Sequence, residues 1–195
     1  MLRSLAGAGR RRGFSTVADA SVEGDRLLPY ALGFFSALPF LALTPQGVTA
    51  CTALAEQQLG QALPLSQPAA ARLQVLYGAS VLAFLGGPHW GVALATSATG
   101  AAAAAPMANV ARYAWGVTPS LLAVPVPLLP LPEAQGALLL GLGAGLGADA
   151  AFTSRRLLPR WYFYHLRVPL TAVAVSSLLA SALAGQAAVA EQAKR

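Results

Sequence analysis

Charged residues are nearly absent from the long central part of this chain. Between residues 27 and 185 only nine residues carry a charge, and the stretches between them are long and apolar. A soluble domain has about 25% charged residues, whereas this chain of 195 residues has 10% charged and 56% hydrophobic residues. The composition argues strongly against a soluble globular domain, and its hydrophobicity argues against disorder. We therefore predict an all-α membrane protein, a bundle of about five transmembrane helices.

Five stretches approach the length of about 20 apolar residues that a helix needs to cross a bilayer. Pro39 and Pro45 predict a kink or an early end of the first stretch near Leu43, followed by a loop with a short interfacial helix at residues 49–59. Together the five form a membrane domain at residues 29–184, between a segment at residues 15–28 and a polar tail at residues 185–195. The predicted spans are residues 29–50, 73–95, 113–131, 134–152 and 162–184.

The chain begins with an arginine-rich segment that no acidic residue interrupts before Asp19. Such a start, with serines among the arginines, is typical of a mitochondrial transit peptide. A secretory signal would need an apolar stretch before Leu27, and a basic cytosolic tail is the remaining alternative. Cleavage before Ser15 would remove four of the thirteen basic residues, leaving a charge of +2 and no basic stripe for nucleic acid. The removed arginines are Arg3, Arg10, Arg11 and Arg12.

A second group of arginines predicts the orientation in the membrane. Arg155, Arg156 and Arg160 form the densest positive cluster outside the transit peptide. The positive-inside rule places this loop on the matrix side of the mitochondrial inner membrane. With five spans, the N-terminus then lies in the matrix and the C-terminus in the intermembrane space. Trp161 and Tyr162, next to Arg160, are expected to anchor the helix at the lipid interface.

Three ionisable residues fall inside predicted spans: His89, Asp149 and Arg167. A charge at membrane depth costs several kcal/mol unless it is paired or hydrated. Asp149 and Arg167 lie toward the same ends of adjacent antiparallel helices, which predicts an ion pair with His89 near the same depth. We favour a clamp that fixes helix packing over a proton or ion relay, and over groups that snorkel to the interface.

Glycines indicate where helices approach one another closely. Gly86 and Gly87 predict a distortion in the second span. The fourth span contains two Gly-x-x-x-Gly pairs, which allow close contact between helix backbones, and it lacks the βαβ context of a dinucleotide-binding loop. The paired residues are Gly141 with Gly145 and Gly143 with Gly147.

We expect no resident cofactor and no metal site. His89 and His165 are the two histidines, and two histidines on separate helices are only a weak indication of haem. The lone Cys51 excludes an intramolecular disulfide. A bound lipid is the ligand class that the sequence leaves open.

Several short motifs occur together in the order found in one known family. The run from Tyr77 to Gly91, with Phe-Leu-Gly-Gly-Pro-His-Trp-Gly at its end, resembles the signature of the transmembrane-protein-69-like family, or domain of unknown function 3429. The resemblance covers roughly residues 29–184. It implies a small multi-span membrane protein of bacteria and mitochondria, and it supplies no reaction. Weaker matching motifs are Leu32-Gly33, Leu38-Pro39-Phe40, Thr118-Pro119-Ser120-Leu121, Asp149, Leu158-Pro159, Trp161-Tyr162, Leu166-Arg167 and Leu170-Thr171.

These features predict a protein without catalysis of its own. We expect an accessory or assembly subunit of a larger inner-membrane complex, of the respiratory-chain type, whose partners are lipids and other subunits. The alternative is a small carrier or channel for protons or a small solute that uses His89, Asp149 and Arg167. A haem-binding, cytochrome-like protein is the third and weakest hypothesis.

Overall fold

The computed structural model describes residues 27–98 and 106–195. The predicted transit peptide and the alanine-rich residues 99–105 therefore lie outside the described residues. Within them the fold is built of helices. A 3-10 turn at Val126–Leu128 precedes α6, and a π-helical turn at Tyr162–Arg167 leads into α7. The helices are α1 (Leu27–Ala42), α2 (Pro45–Leu59), α3 (Gln67–Phe84), α4 (Gly87–Ala98), α5 (Pro106–Ala123), α6 (Leu131–Ser154) and α7 (Val168–Gln192).

Proline and a capping threonine break the first predicted span. Helix α1 contains Pro39 and ends at Ala42, one residue before the predicted end. The Oγ1 atom of Thr44 then accepts a hydrogen bond of 3.1 Å from the backbone N–H of Gly47, which caps α2. The two helices meet at 91°. Helix α2 begins four residues earlier than the predicted interfacial helix because Pro45 occupies its first turn, where proline is tolerated.

The described chain holds fewer candidate membrane-crossing helices than the five predicted. Judged by length and apolar composition, three segments qualify: Gln67–Ala98, Leu131–Ser154 and Tyr162–Gln192. The bent pair α1–α2 passes the same test together, which gives four if the pair is one span. Helix α5 covers most of the third predicted span but is not a candidate by this test. The all-α membrane class is confirmed with this smaller number.

Helix α3 lies at the centre and contacts α1, α5, α6 and α7. The core forms where its apolar face meets the others, with Val75, Leu82, Leu138, Leu142 and Leu178 almost completely buried. Many large apolar side chains remain on the outer surface, as expected for helices that face lipid. The residues that hold the bundle together thus form a compact apolar core.

Helix α7 extends beyond the predicted end of the last span. It remains helical to Gln192, although residues 185–195 were predicted to form a polar tail. Alanine, glutamine and glutamate, which dominate this stretch, are strong helix formers. An exposed ion pair of 3.0 Å between Glu191 and Arg195 adds a side-chain contact at the end.

Candidate functional site

The three ionisable residues of the predicted spans meet at one point. His89 lies in the first turn of α4, Asp149 in α6 and Arg167 at the end of the π-helical turn. The Nε2 atom of His89 lies 2.8 Å from Oδ1 of Asp149. The Nε–H of Arg167 donates to Oδ2 of the same carboxylate at 2.5 Å. Asp149 therefore joins three segments through its two oxygens.

This cluster, defined as His89, Asp149 and Arg167, is closed from the surroundings. The exposed fractions of the side chains are 1%, 2% and 7%, respectively. A carboxylate accepts hydrogen bonds and cannot donate them, so Asp149 in its ionised form accepts from an Nε2–H of His89. An ionised Asp149 and Arg167 form an ion pair inside the cluster.

Local irregularities of the helices position these side chains. Pro88 follows Gly87 in the first turn of α4, where a missing N–H costs little, and His89 comes next. The π-helical turn, a rare geometry often found at functional sites, presents Arg167 toward α6. A Cβ atom at Gly145 would lie 3.2 Å from Cδ1 of Leu85 and 3.4 Å from Nη2 of Arg167, so glycine allows close packing beside the guanidinium. Phe152 packs edge-on against His89, with 4.5 Å between ring centroids.

Two polar atoms of the cluster remain without a hydrogen-bond partner among the described residues. They are Nδ1 of His89 and Nη2 of Arg167. The first is an acceptor in the neutral tautomer and the second is a donor. The arrangement can therefore act as a fixed clamp, and it retains one proton-accepting atom on the histidine.

The predicted packing glycines separate into two groups. A Cβ atom at Gly86 would overlap the carbonyl oxygen of Gly116 in α5, and one at Gly141 would lie 2.7 Å from Cδ2 of Leu82. Gly87 is at the limit of contact, with the Phe84 ring 4.0 Å away. No described atom lies within 4 Å of a Cβ atom built on Gly143 or Gly147. These two glycines lie on the outer face of α6.

Sequence reasoning missed the burial of Arg112. It directly precedes the predicted third span, which begins at residue 113, but its side chain is buried. It donates to Oδ1 of Asn109 at 2.9 Å and to the carbonyl oxygen of Leu157 at 3.1 Å. Arg112 therefore connects α5 to the loop that contains the exposed residues Arg155, Arg156 and Arg160. A lone arginine just outside an apolar stretch gives no signal of such burial.

The two histidines have different partners. His89 contacts Asp149, whereas the exposed His165 has its Nδ1 atom 3.4 Å from the hydroxyl of Tyr30. Trp161 packs edge-on against both Tyr30 and Tyr162. The predicted aromatic anchors thus form a small cluster between the start of α1 and the π-helical turn.

Comparisons with known proteins match the chain over most of the described bundle. A family described as "Protein of unknown function (DUF3429)" matches residues 26–183. Transmembrane protein 69 of Xenopus tropicalis is 37% identical over 123 residues, which cover 58% of this chain and 42% of that protein. The aligned part thus spans less than half the length of this relative. No solved structure matches the chain.

Proposed function

The chain belongs to the DUF3429 family of transmembrane proteins, and on that premise we propose that it is a non-catalytic accessory or assembly subunit. It would serve a larger complex of the mitochondrial inner membrane, of the respiratory-chain type. The observation that carries the proposal is the closed cluster. Both oxygens of Asp149 are engaged by His89 and Arg167, so the groups best suited to chemistry hold helices together instead.

The outer face of α6 supports a role beside other subunits. Gly143 and Gly147 are exposed and have open space where a side chain would lie. Small residues at this spacing allow the backbone of another membrane helix to approach closely. A partner helix seated here would bury a face that this chain itself leaves uncovered.

Native gel electrophoresis in mild detergent, with mass profiling of each band, tests the proposal. We expect wild-type protein to migrate with other inner-membrane subunits. The double substitution Gly143→Leu/Gly147→Leu should reduce this co-migration, whereas Gly185→Leu, also at a glycine with open space, should not. Migration of the wild type only as a monomer or a small homo-oligomer would contradict the proposal.

The lone cysteine provides a test of location and orientation. The proposal places helix α2, which contains Cys51, on the intermembrane-space side. A membrane-impermeant maleimide should therefore label Cys51 in intact mitoplasts. A variant that carries Ser154→Cys in a Cys51→Ser background should react only after the membrane is permeabilised. The opposite labelling pattern would reverse the orientation, and absence of the protein from mitochondria would reject the location.

A carrier or channel for protons or a small solute is the second candidate. The observation that favours it is the unpartnered Nδ1 atom of His89 beside a carboxylate within the bundle. Such a pair could accept and release a proton. Proton flux into liposomes that is abolished by Asp149→Asn and His89→Ala would support this function, and flux that survives both substitutions would reject the mechanism.

A further inference from the structure

An apolar cleft lies between α1, α3 and α7. Its volume is about 580 Å³, which falls within the range of about 300–1,000 Å³ found for small-molecule sites. Leu32, Phe40 and Phe84 contribute to its apolar lining. Leu32 and Phe84 are themselves 61% and 74% exposed, so the cleft continues into the lipid-facing surface. Its shape and lining suit a hydrocarbon chain.

Two residues of the cleft wall carry buried polar atoms that lack partners. Arg167 and Thr171 belong to its wall, and both residues are more than nine-tenths buried, with exposed fractions of 6% and 5%. Nη2 of Arg167 and Oγ1 of Thr171 have no hydrogen-bond partner among the described residues. A few polar groups in a largely apolar site commonly fix the orientation of a ligand. A carbonyl oxygen that enters between these wall residues would suit them, because Arg167 already pairs with Asp149.

The aromatic end of the cleft wall directly follows the arginine loop in the chain. Trp161 and Tyr162 line the cleft, and Arg160 directly precedes them in the chain. Arg155, Arg156 and Arg160 are exposed, and none forms an ion pair within the described part of the chain. Basic residues at the end of membrane helices attract anionic lipid headgroups.

We propose that the cleft binds one acyl chain of an anionic phospholipid, whose phosphate contacts the arginine loop. The ester carbonyl lies below the aromatic pair Trp161–Tyr162, toward Arg167 and Thr171. The acyl chain of the lipid continues along the apolar wall of the cleft toward Phe40. The lipid then fills the gap between α1 and α7 and joins the loop to the bundle. This inference goes beyond the proposed assembly role and does not depend on it.

Fluorescence quenching by brominated lipids tests the proposal directly. The full chain is reconstituted in phosphatidylcholine vesicles in a Trp90→Phe/Trp115→Phe background, which leaves Trp161 as the single tryptophan. Acyl-brominated phosphatidylglycerol or acyl-brominated phosphatidylcholine is added as a minor component. We expect about fivefold stronger quenching by the anionic lipid, the preference that one arginine near the surface confers.

Two sets of variants distinguish binding of the lipid headgroup from binding of its acyl chain in the cleft. Arg155→Glu/Arg156→Glu/Arg160→Glu should remove the preference, and the corresponding lysine variant should restore most of it. Ser80→Phe places a ring in the cleft and should also abolish the preference. Ser176→Phe is the matched control, because Ser176 is an exposed serine that bonds only within its own helix and lies outside the cleft wall.

Native mass spectrometry is a second measurement, and it needs no tryptophan substitution. We expect one retained phosphatidylglycerol in the wild type and in Ser176→Phe, and none in Ser80→Phe. Equal quenching by the two brominated lipids would overturn the proposal. A preference that disappears in the glutamate variant but persists in Ser80→Phe would also overturn it, because the lipid would then bind only at the surface.

Discussion

The carboxylate of Asp149 should be among the most costly side chains to remove from this bundle. Asp149→Leu leaves the Nε2–H of His89 and the guanidinium of Arg167 buried without their acceptor. A hydrogen bond to a charged group is worth about 1.5–3 kcal/mol, and Asp149 makes two. Breaking a buried ion pair from one side costs about 3–5 kcal/mol. We therefore expect Asp149→Leu to lower the free energy of unfolding by about 3–5 kcal/mol.

A double variant isolates the charge from the packing. Arg167→Met removes the guanidinium, so Asp149→Leu/Arg167→Met leaves no unpaired charge in the cluster. Replacing a buried ion pair with apolar residues of similar volume is often neutral or stabilising. The double variant should therefore be more stable than Asp149→Leu alone. Asp149→Asn should lie between Asp149→Leu and the wild type, because its amide can still accept from Arg167 and donate to the other tautomer of His89.

The assay is unfolding by sodium dodecyl sulfate in mixed micelles, followed by far-ultraviolet circular dichroism. Lys194→Gln, at an exposed lysine, serves as the control and should change stability by less than about 0.5 kcal/mol. An ordinary interhelical hydrogen bond in a membrane protein is worth about 0.6 kcal/mol. A loss of that size for Asp149→Leu, or a double variant whose loss equals the sum of the single losses, would refute the reasoning.

Three further predictions use the same reconstituted protein. Gly86→Ala should lower stability by about 1–3 kcal/mol, because its methyl group overlaps Gly116; unfolding in mixed micelles measures this, and an unchanged midpoint would contradict the close contact. Gly143→Ala should leave stability unchanged or raise it by up to about 1 kcal/mol, since the position faces open space; a clear loss in the isolated chain would show a contact inside the bundle. Arg112→Met should increase the rate of tryptic cleavage in the arginine loop, because the bond to the Leu157 carbonyl is lost; an unchanged rate would show that Arg112 does not hold the loop.

The membrane class and the break in the first span could be predicted from local chemistry alone. Few charges and long apolar stretches are typical of a helical membrane protein. Pro39 and Pro45 make a straight helix through Leu43 energetically costly. The number of spans was less predictable. Helix α5 begins before the predicted third span and takes Arg112 into the bundle, so its composition differs from that of the other spans.

The glycine pairs of α6 show a limit of motif reasoning. Each Gly-x-x-x-Gly pair indicates close packing, but the two pairs are offset by two residues. At 3.6 residues per turn, that offset places them about 200° apart around the helix. Only one pair can face a given neighbour, and the sequence does not specify which. The structure turns Gly141 and Gly145 toward Leu82 and Leu85, which leaves Gly143 and Gly147 outside.

Two irregular segments converge on one residue of α6. The break at Gly86 begins the helix that carries His89, and the π-helical turn ends with Arg167. Each departure from regular α-helix gives up backbone hydrogen bonding, which the bonds to Asp149 help to offset. A clamp and a relay therefore predict different results for Asp149→Asn. If Asp149 acts as a clamp, this variant loses stability and co-migration with other subunits together. If it acts in a relay, proton flux is lost while the bundle and its assembly persist.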